Sequence, residues 1–157
     1  MAAMIEEYLE FVKFDEIFLE KSWNWITTEP IKTLIDAGEI NKEDQLNWYG
    51  ELENRTDYFV EGIKYKSTPI GVWGLKKITS DNAEYYGYIG EPEFWGKGIG
   101  KIIIARAINK AKKVGIKTLY LHVLKFNQRA INLYKRFGFC EDFEKSDEKM
   151  FFMELNI

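Results

Sequence analysis

The chain has 157 residues, with 25 Asp and Glu against 22 Lys and Arg, a formal net charge of -3. At 46% hydrophobic and 30% charged it has the composition of a globular protein with a real core. The acidic balance argues against a nucleic-acid partner, the single Cys140 and single His122 against a disulfide framework or a Cys/His metal site, and the lack of a long apolar run against a membrane span. The N-terminus lacks the charged-then-apolar order of a signal peptide, so the expectation is a cytoplasmic protein of one domain, residues 1–157, without a metal.

In chain order, "MIEEYLEFVKF" partly alternates and predicts a strand, and "DEIFLEKSWNWIT" predicts a helix. "TEPIKTLIDAG" reads as a short helix with Pro30 near its start and Gly38 as its stop. "NKEDQLNWYGELENR" reads as another, capped by Asn41. "DYFVEGIKYK", "PIGVWGLKKIT" and "AEYYGYIGE" predict three strands with short turns, hence an antiparallel meander. From about Gly98 to Val114, Ile99, Ile102, Ile103, Ala107, Ala111 and Val114 recur at helical spacing and define one apolar face. "KTLYLHVL" follows as a strand, "NQRAINLYKRF" as a helix stopped by Gly138, and "FCEDFEKS" and "KMFFMELNI" as a last strand pair. A strand, a helix and a strand around Gly98–Val114 form a crossover, which predicts parallel pairing at that one place.

The stretch "GEPEFWGKGIGK" sets Gly90, Gly96, Gly98 and Gly100 at the entrance to that helix. A helix N-terminus carries unpaired N–H groups and a partial positive charge, and bare glycines let an anion approach them closely. Lys97 and Lys101 flank the turn and add charge. A dinucleotide fingerprint requires G-x-G-x-x-G, but Gly96, Gly98 and Gly100 give G-x-G-x-G. A triphosphate P-loop requires Gly where Trp95 stands and Ser or Thr where Ile102 stands. The third option is the pyrophosphate loop Q/R-x-x-G-x-G/A, with Gly98 and Gly100 as its G-x-G and Trp95 in the Q/R place.

A second block lies 27 residues past Gly100: "NQRAINLYKRFGF" is similar to N-x-R-A-x-x-x-Y-x-x-x-G-F. With both blocks the sequence resembles the GNAT superfamily of N-acetyltransferases, near the branch of ribosomal-protein-alanine acetyltransferases, over roughly Ala83 to Phe139. The resemblance implies an α/β (α+β) fold: a mixed, mostly antiparallel sheet of about six or seven strands with a splayed parallel pair, flanked by four or five helices. It implies acetyl-CoA as co-substrate, bound by Trp95, Gly96, Lys97, Gly98, Ile99, Gly100 and Lys101 around the diphosphate. Tyr88, Ile89 and Gly90 are the implied main-chain contacts to the pantetheine arm, with Asn127 and Ala130 from the second block. Tyr134 matches the family's tyrosine and is the implied general acid for the departing thiolate. Trp95 in the Q/R place removes a side-chain phosphate ligand and leaves the backbone donors.

The attacking amine must be neutral, so a base is expected. Glu84, on one strand face with Tyr86 and Tyr88, and Glu91, at the mouth of the wedge, are the candidates, each otherwise a solvated surface carboxylate. His122, mid-strand, reads as a satisfied core histidine, and Cys140 as buried and inert. Aromatic residues are dense before residue 96, where Trp23, Trp25, Trp48, Tyr49 and Tyr86 pack the core or line an acceptor groove. The pattern from about Ser22 to Arg55 is similar to acetyltransferases of amino-sugar pathways. The expected acceptor is therefore the primary amine of a small, nucleotide-linked amino sugar. The alternatives are a protein N-terminus or a non-catalytic coenzyme sensor, with the chain a monomer or homodimer.

Overall fold

The computed structural model describes residues 2–157. Seven strands form one sheet: β1 (Leu9–Lys13), β2 (Phe59–Tyr65), β3 (Thr68–Lys76), β4 (Asn82–Ile89), β5 (Thr118–Leu124), β6 (Cys140–Asp142) and β7 (Met150–Asn156). Their spatial order is β1-β2-β3-β4-β5-β7-β6. Every pairing is antiparallel except β4 with β5. Five helices accompany them: α1 (Glu16–Ile26), α2 (Ile31–Leu34), α3 (Lys42–Glu51), α4 (Ile99–Lys113) and α5 (Gln128–Arg136). The expected mixed sheet with one parallel pair is what the chain forms.

Local chemistry starts and stops these elements. Asp15 caps α1 by accepting from the Phe18 N–H at 3.1 Å, and Asn41 caps α3 by accepting from Glu43 and Asp44. The first strand is shorter than its sequence pattern, because Ala2–Tyr8 forms 3-10 turns. Its partner explains this: β2 ends at Tyr65, opposite Leu9, so residues before Leu9 have no strand to pair with. Likewise β7 inserts between β5 and β6, an order that the strand pattern alone did not specify.

Alternation along the strands divides the interior in two. On one face Trp73, Leu75, Ala83, Tyr85, Leu119 and Leu121 pack beneath Ile99, Ile103, Ile104, Ala107 and Ala111 of α4 and Ile131 of α5. The buried stripe of α4 thus uses Ile104 in place of Ile102, and Val114 lies exposed. On the other face Val72, Tyr86 and Tyr88 meet Phe14, Phe18, Trp25 and Ile31 of the α1–α3 layer. Phe18 lies directly over Gly62 of β2, where a Cβ would run into its ring.

The β2–β3 hairpin turns through Lys66 and Ser67, with φ of 46° and 70°. A two-residue hairpin loop with both residues left-handed is the type I′ turn, which favours glycine in its second place. Ser67→Gly is therefore expected to stabilise the fold by about 1 kcal/mol, read as a higher denaturation midpoint at constant slope.

Candidate active site

The parallel pair is short. β4 and β5 are in register only at Asn82–Thr118, Ala83–Leu119 and Glu84–Tyr120, and beyond these pairs the strands part. Their separation opens a cleft of about 990 Å³ with walls from both faces of the sheet, including Tyr86 and Tyr88 on one side and Ile103 and Tyr134 on the other. It is a slot through the sheet rather than a hollow on it.

The peptide groups that face this slot follow from strand phase. The Gly90 N–H donates to the Ile70 carbonyl at 2.7 Å, and Tyr88 lies opposite Val72 and Tyr86 opposite Gly74. Antiparallel pairs alternate, so residues 86, 88 and 90 bond β3 while Tyr85, Gly87 and Ile89 turn their peptide groups away from it, toward the gap. Of the expected main-chain contacts Tyr88, Ile89 and Gly90, only Ile89 directs its backbone into the slot. Gly87 was missed; a glycine at mid-strand was the available signal. Gly90 has a different reason to be glycine, since a Cβ there would strike the Trp25 indole.

At the outer end of the slot lies the glycine turn. Gly96 and Gly98 hold φ of 73° and 85°, conformations that side chains resist, and nothing lies within 4 Å of where their Cβ atoms would be. Gly98 precedes α4 without any side-chain cap, so the first amides of the helix stay free of protein acceptors. Gly100 serves packing instead: a Cβ would stand 3.0 Å from Leu133 of α5. The indole of Trp95 turns back, and its Nε1–H donates to the Ile89 carbonyl at 2.9 Å. Lys101 lines the cleft, as do Arg129 and Arg136 from α5, which the sequence did not single out; Lys97 is exposed outside it.

Helix α5 supplies Asn127, Ala130 and Tyr134 to the wall. Asn127 caps the helix by accepting from the Ala130 N–H at 3.3 Å. Tyr134 packs edge-on to Tyr85, with ring centroids 6.2 Å apart, and burial pushes its hydroxyl up to about 12. On the opposite face the Tyr58 hydroxyl donates to that of Tyr86 at 2.8 Å, with Trp48 edge-on to Tyr58. Burial drives the Tyr86 and Tyr88 hydroxyls well above the ordinary phenol range.

Five other side chains lie elsewhere than expected. Trp25, 6% exposed, is core, and its Nε1–H donates to the Glu91 carboxylate at 3.0 Å, so Trp25 and Glu91 flank a separate, smaller cavity. Trp23 lies under Lys42 and Tyr49 packs on Phe14, both outside the slot, so of the five expected groove aromatics only Trp48 and Tyr86 line it. Cys140 is exposed on the edge strand, not buried, because its three-residue strand packs only along β7.

Glu84 and His122 both overturn their sequence reading. Glu84 is 6% exposed rather than solvated, with Lys76 Nζ at 3.7 Å, Lys77 Nζ at 3.5 Å and the His122 Nδ1 at 3.3 Å from its carboxylate. The cluster compensates a charge that burial would otherwise penalise. His122 is not a core residue: its side chain is 38% exposed and stands on the slot wall. Neither Glu84 nor Glu91 lines the slot, and no carboxylate does among the described residues.

A sheet split beside an uncapped, glycine-entered helix defines a class of acyl-coenzyme-binding fold. The sequence model described as the Acetyltransferase (GNAT) family matches residues 17–139, and the chain belongs to that family. An uncharacterized N-acetyltransferase of Methanocaldococcus jannaschii is 44% identical over 115 residues, 68% of this chain and 50% of that one. Among solved structures, spermidine N-acetyltransferase from Vibrio cholerae in complex with CoA and spermine superposes with a TM-score of 0.83 at 21% identity, covering 96% of both chains. Campylobacter jejuni N-acetyltransferase PseH in complex with acetyl coenzyme A does so at 0.72 and 20%, covering 94% of this chain and 98% of that one. At such identities the likeness is one of fold. The chain spans about a quarter to a half of the length of several curated relatives.

Gly90→Ala should force the Trp25 ring aside and destabilise the fold by about 2 kcal/mol, measured by chemical denaturation. Gly50→Ala, at a helical position with open space around its Cβ, is the matched control and should not destabilise.

Proposed function

We propose that the protein is an acetyl-CoA-dependent N-acetyltransferase whose acceptor is the primary amine of a small, nucleotide-linked amino sugar. The observation that carries this reading is the slot itself, which joins an anion-receptive helix entrance to an aromatic basin on the other face of the sheet. The residues fit the coenzyme. Positive-φ glycines leave open space before the free amides of α4, matching a diphosphate, and Lys101, Arg129 and Arg136 add charge. The Gly87 and Ile89 amides can pair with the pantetheine arm as an added strand would, and Asn127 can reach it from α5. The thioester that acetyl-CoA supplies is an acyl donor of ordinary reactivity, and the chain's own groups orient and assist its cleavage.

Tyr134 acts at sulfur. A hydroxyl held at about 12 stays protonated across the whole working range and can donate to a thiolate, whose proton affinity is near 8.5. Its direction of shift sets the sign. Because the folded value is raised, the donor form persists as pH rises, and no alkaline loss below about pH 10 is due to this group.

The acceptor side is basic and aromatic. Lys76, Trp48, Tyr58 and Tyr86 line it, and no carboxylate is present among the described lining residues. A polycation such as a polyamine would find no counter-charge there, whereas a phosphate-bearing amine gains from Lys76 and from rings able to stack on a base or sugar.

Thiol release from acetyl-CoA, assayed against nucleotide-linked amino sugars, peptides with free N-termini and polyamines, tests the reading. The amino sugars should turn over fastest and polyamines least; a preference for peptides or polyamines would replace the acceptor assignment. Tyr134→Phe should lower turnover roughly 10²-fold while leaving acetyl-CoA affinity within about twofold. A coenzyme sensor would show no turnover to lose.

A further inference from the structure

The proposed reaction lacks a group to take the acceptor's proton, and the slot contains one that its sequence context disguised. We propose that His122 is the general base, held in place by Glu84, for the acetyl transfer set out above. The inference rests on that reading.

Position argues first. Even-numbered residues of β5 and β4 share the face on which the α1–α3 layer packs, so His122 stands on the acceptor side with Tyr86 and Tyr88 while Tyr134 approaches from α5 on the other. Base and acid then flank the slot from opposite faces, where an amine attacking one side of a thioester carbonyl requires them.

Orientation argues second. Nδ1 lies 3.3 Å from the Glu84 carboxylate, the ring stands edge-on to Phe152 with centroids 5.4 Å apart, and Tyr120 flanks it at 6.3 Å. With Nδ1 turned to a carboxylate, the proton sits there and Nε2 is the lone-pair nitrogen. Among the described residues Nε2 has no hydrogen-bond partner. A buried carboxylate that reaches the slot only through an imidazole is a positioning residue, and the buried Glu84 is otherwise a costly group to keep in this sheet.

The charges around the ring are Glu84 from β4, Lys76 and Lys77 at the end of β3, Asp147 before β7, and Lys145 over the Phe152 ring. In the step, one proton of the acceptor ammonium passes to Nε2 and then to water. The freed nitrogen lone pair forms the C–N bond, the C–S bond breaks with its electron pair on sulfur, and a second nitrogen proton ends on that sulfur, relayed by the Tyr134 hydroxyl. The third proton stays on the amide.

His122 is the only histidine in the chain, so its imidazole C2–H signal can be followed by NMR in the intact protein without assignment. The test measures kcat/KM for thiol release against pH, with acetyl-CoA and a nucleotide-linked amino sugar, beside that titration. Activity should fall as pH drops through the imidazole midpoint, where the base becomes protonated. His122→Gln should lower kcat/KM about 10²-fold near neutrality and abolish that limb while acetyl-CoA affinity is retained. Glu84→Gln removes the anion beside Nδ1 and should move the NMR midpoint and the kinetic limb together to lower pH. A His122→Gln rate within twofold of wild type overturns the inference and leaves the proposed function standing. So does a Glu84→Gln variant that lowers the melting temperature with both midpoints unmoved. If His122→Gln fails to fold, the paired midpoints of Glu84→Gln decide alone. Absence of thiol release by the wild type with every amine tried brings down the proposed function, and this inference with it.

Discussion

The architecture turns on a ladder that stops. β4 and β5 stay joined for three residue pairs, and their remaining peptide groups then have no strand partner between them. Backbone donors and acceptors left inside a sheet must be met by water or a ligand. The chain makes that requirement productive by keeping β4 fully bonded to β3 along its other edge, so the exposed edge is straight and fixed. The α4 crossover then delivers a helix entrance to the same opening.

From that opening follows a division between two faces. One side of the sheet holds α4, α5, Tyr85 and Tyr134, the other the α1–α3 layer, Tyr86 and His122. On the proposed reading the coenzyme comes from the first and the amine from the second. The buried hydroxyls on both sides are kept neutral by desolvation, so the charged groups near the opening are the cations on its wall and the Glu84 cluster behind it.

Most of the fold was legible because hydrophobic period and turn chemistry agreed. The apolar spacing of α4, the Asn41 cap and the Gly138 stop each marked an element that forms, Gly138 with φ of 97°. The site was legible where a backbone requirement left a glycine: Gly96 and Gly98 announced the turn before α4. It was illegible where a long-range partner decides a residue's setting. Nothing in "LYLHVL" reveals that the strand beside His122 has parted, and nothing in "AEYYGY" reveals two lysines and an imidazole beside Glu84. Trp25 and Glu91 are 66 residues apart in sequence, and their hydrogen bond removed both from the expected site. The strand phase that selects Gly87 and Ile89 over Tyr88 and Gly90 is a property of pairing with β3, not of composition.

Trp95 carries one further consequence. Its indole ties the loop ahead of α4 to the last carbonyl of β4, so the mouth of the opening and the helix entrance are fastened to each other as a latch fastens two leaves. A side chain that is spent as a fastener is unavailable as a grip on an anion, and the carbonyl it occupies is withheld from a guest. The molecule has exchanged a ligand contact for stiffness, so a guest arriving at one end meets an opening whose other end is already set.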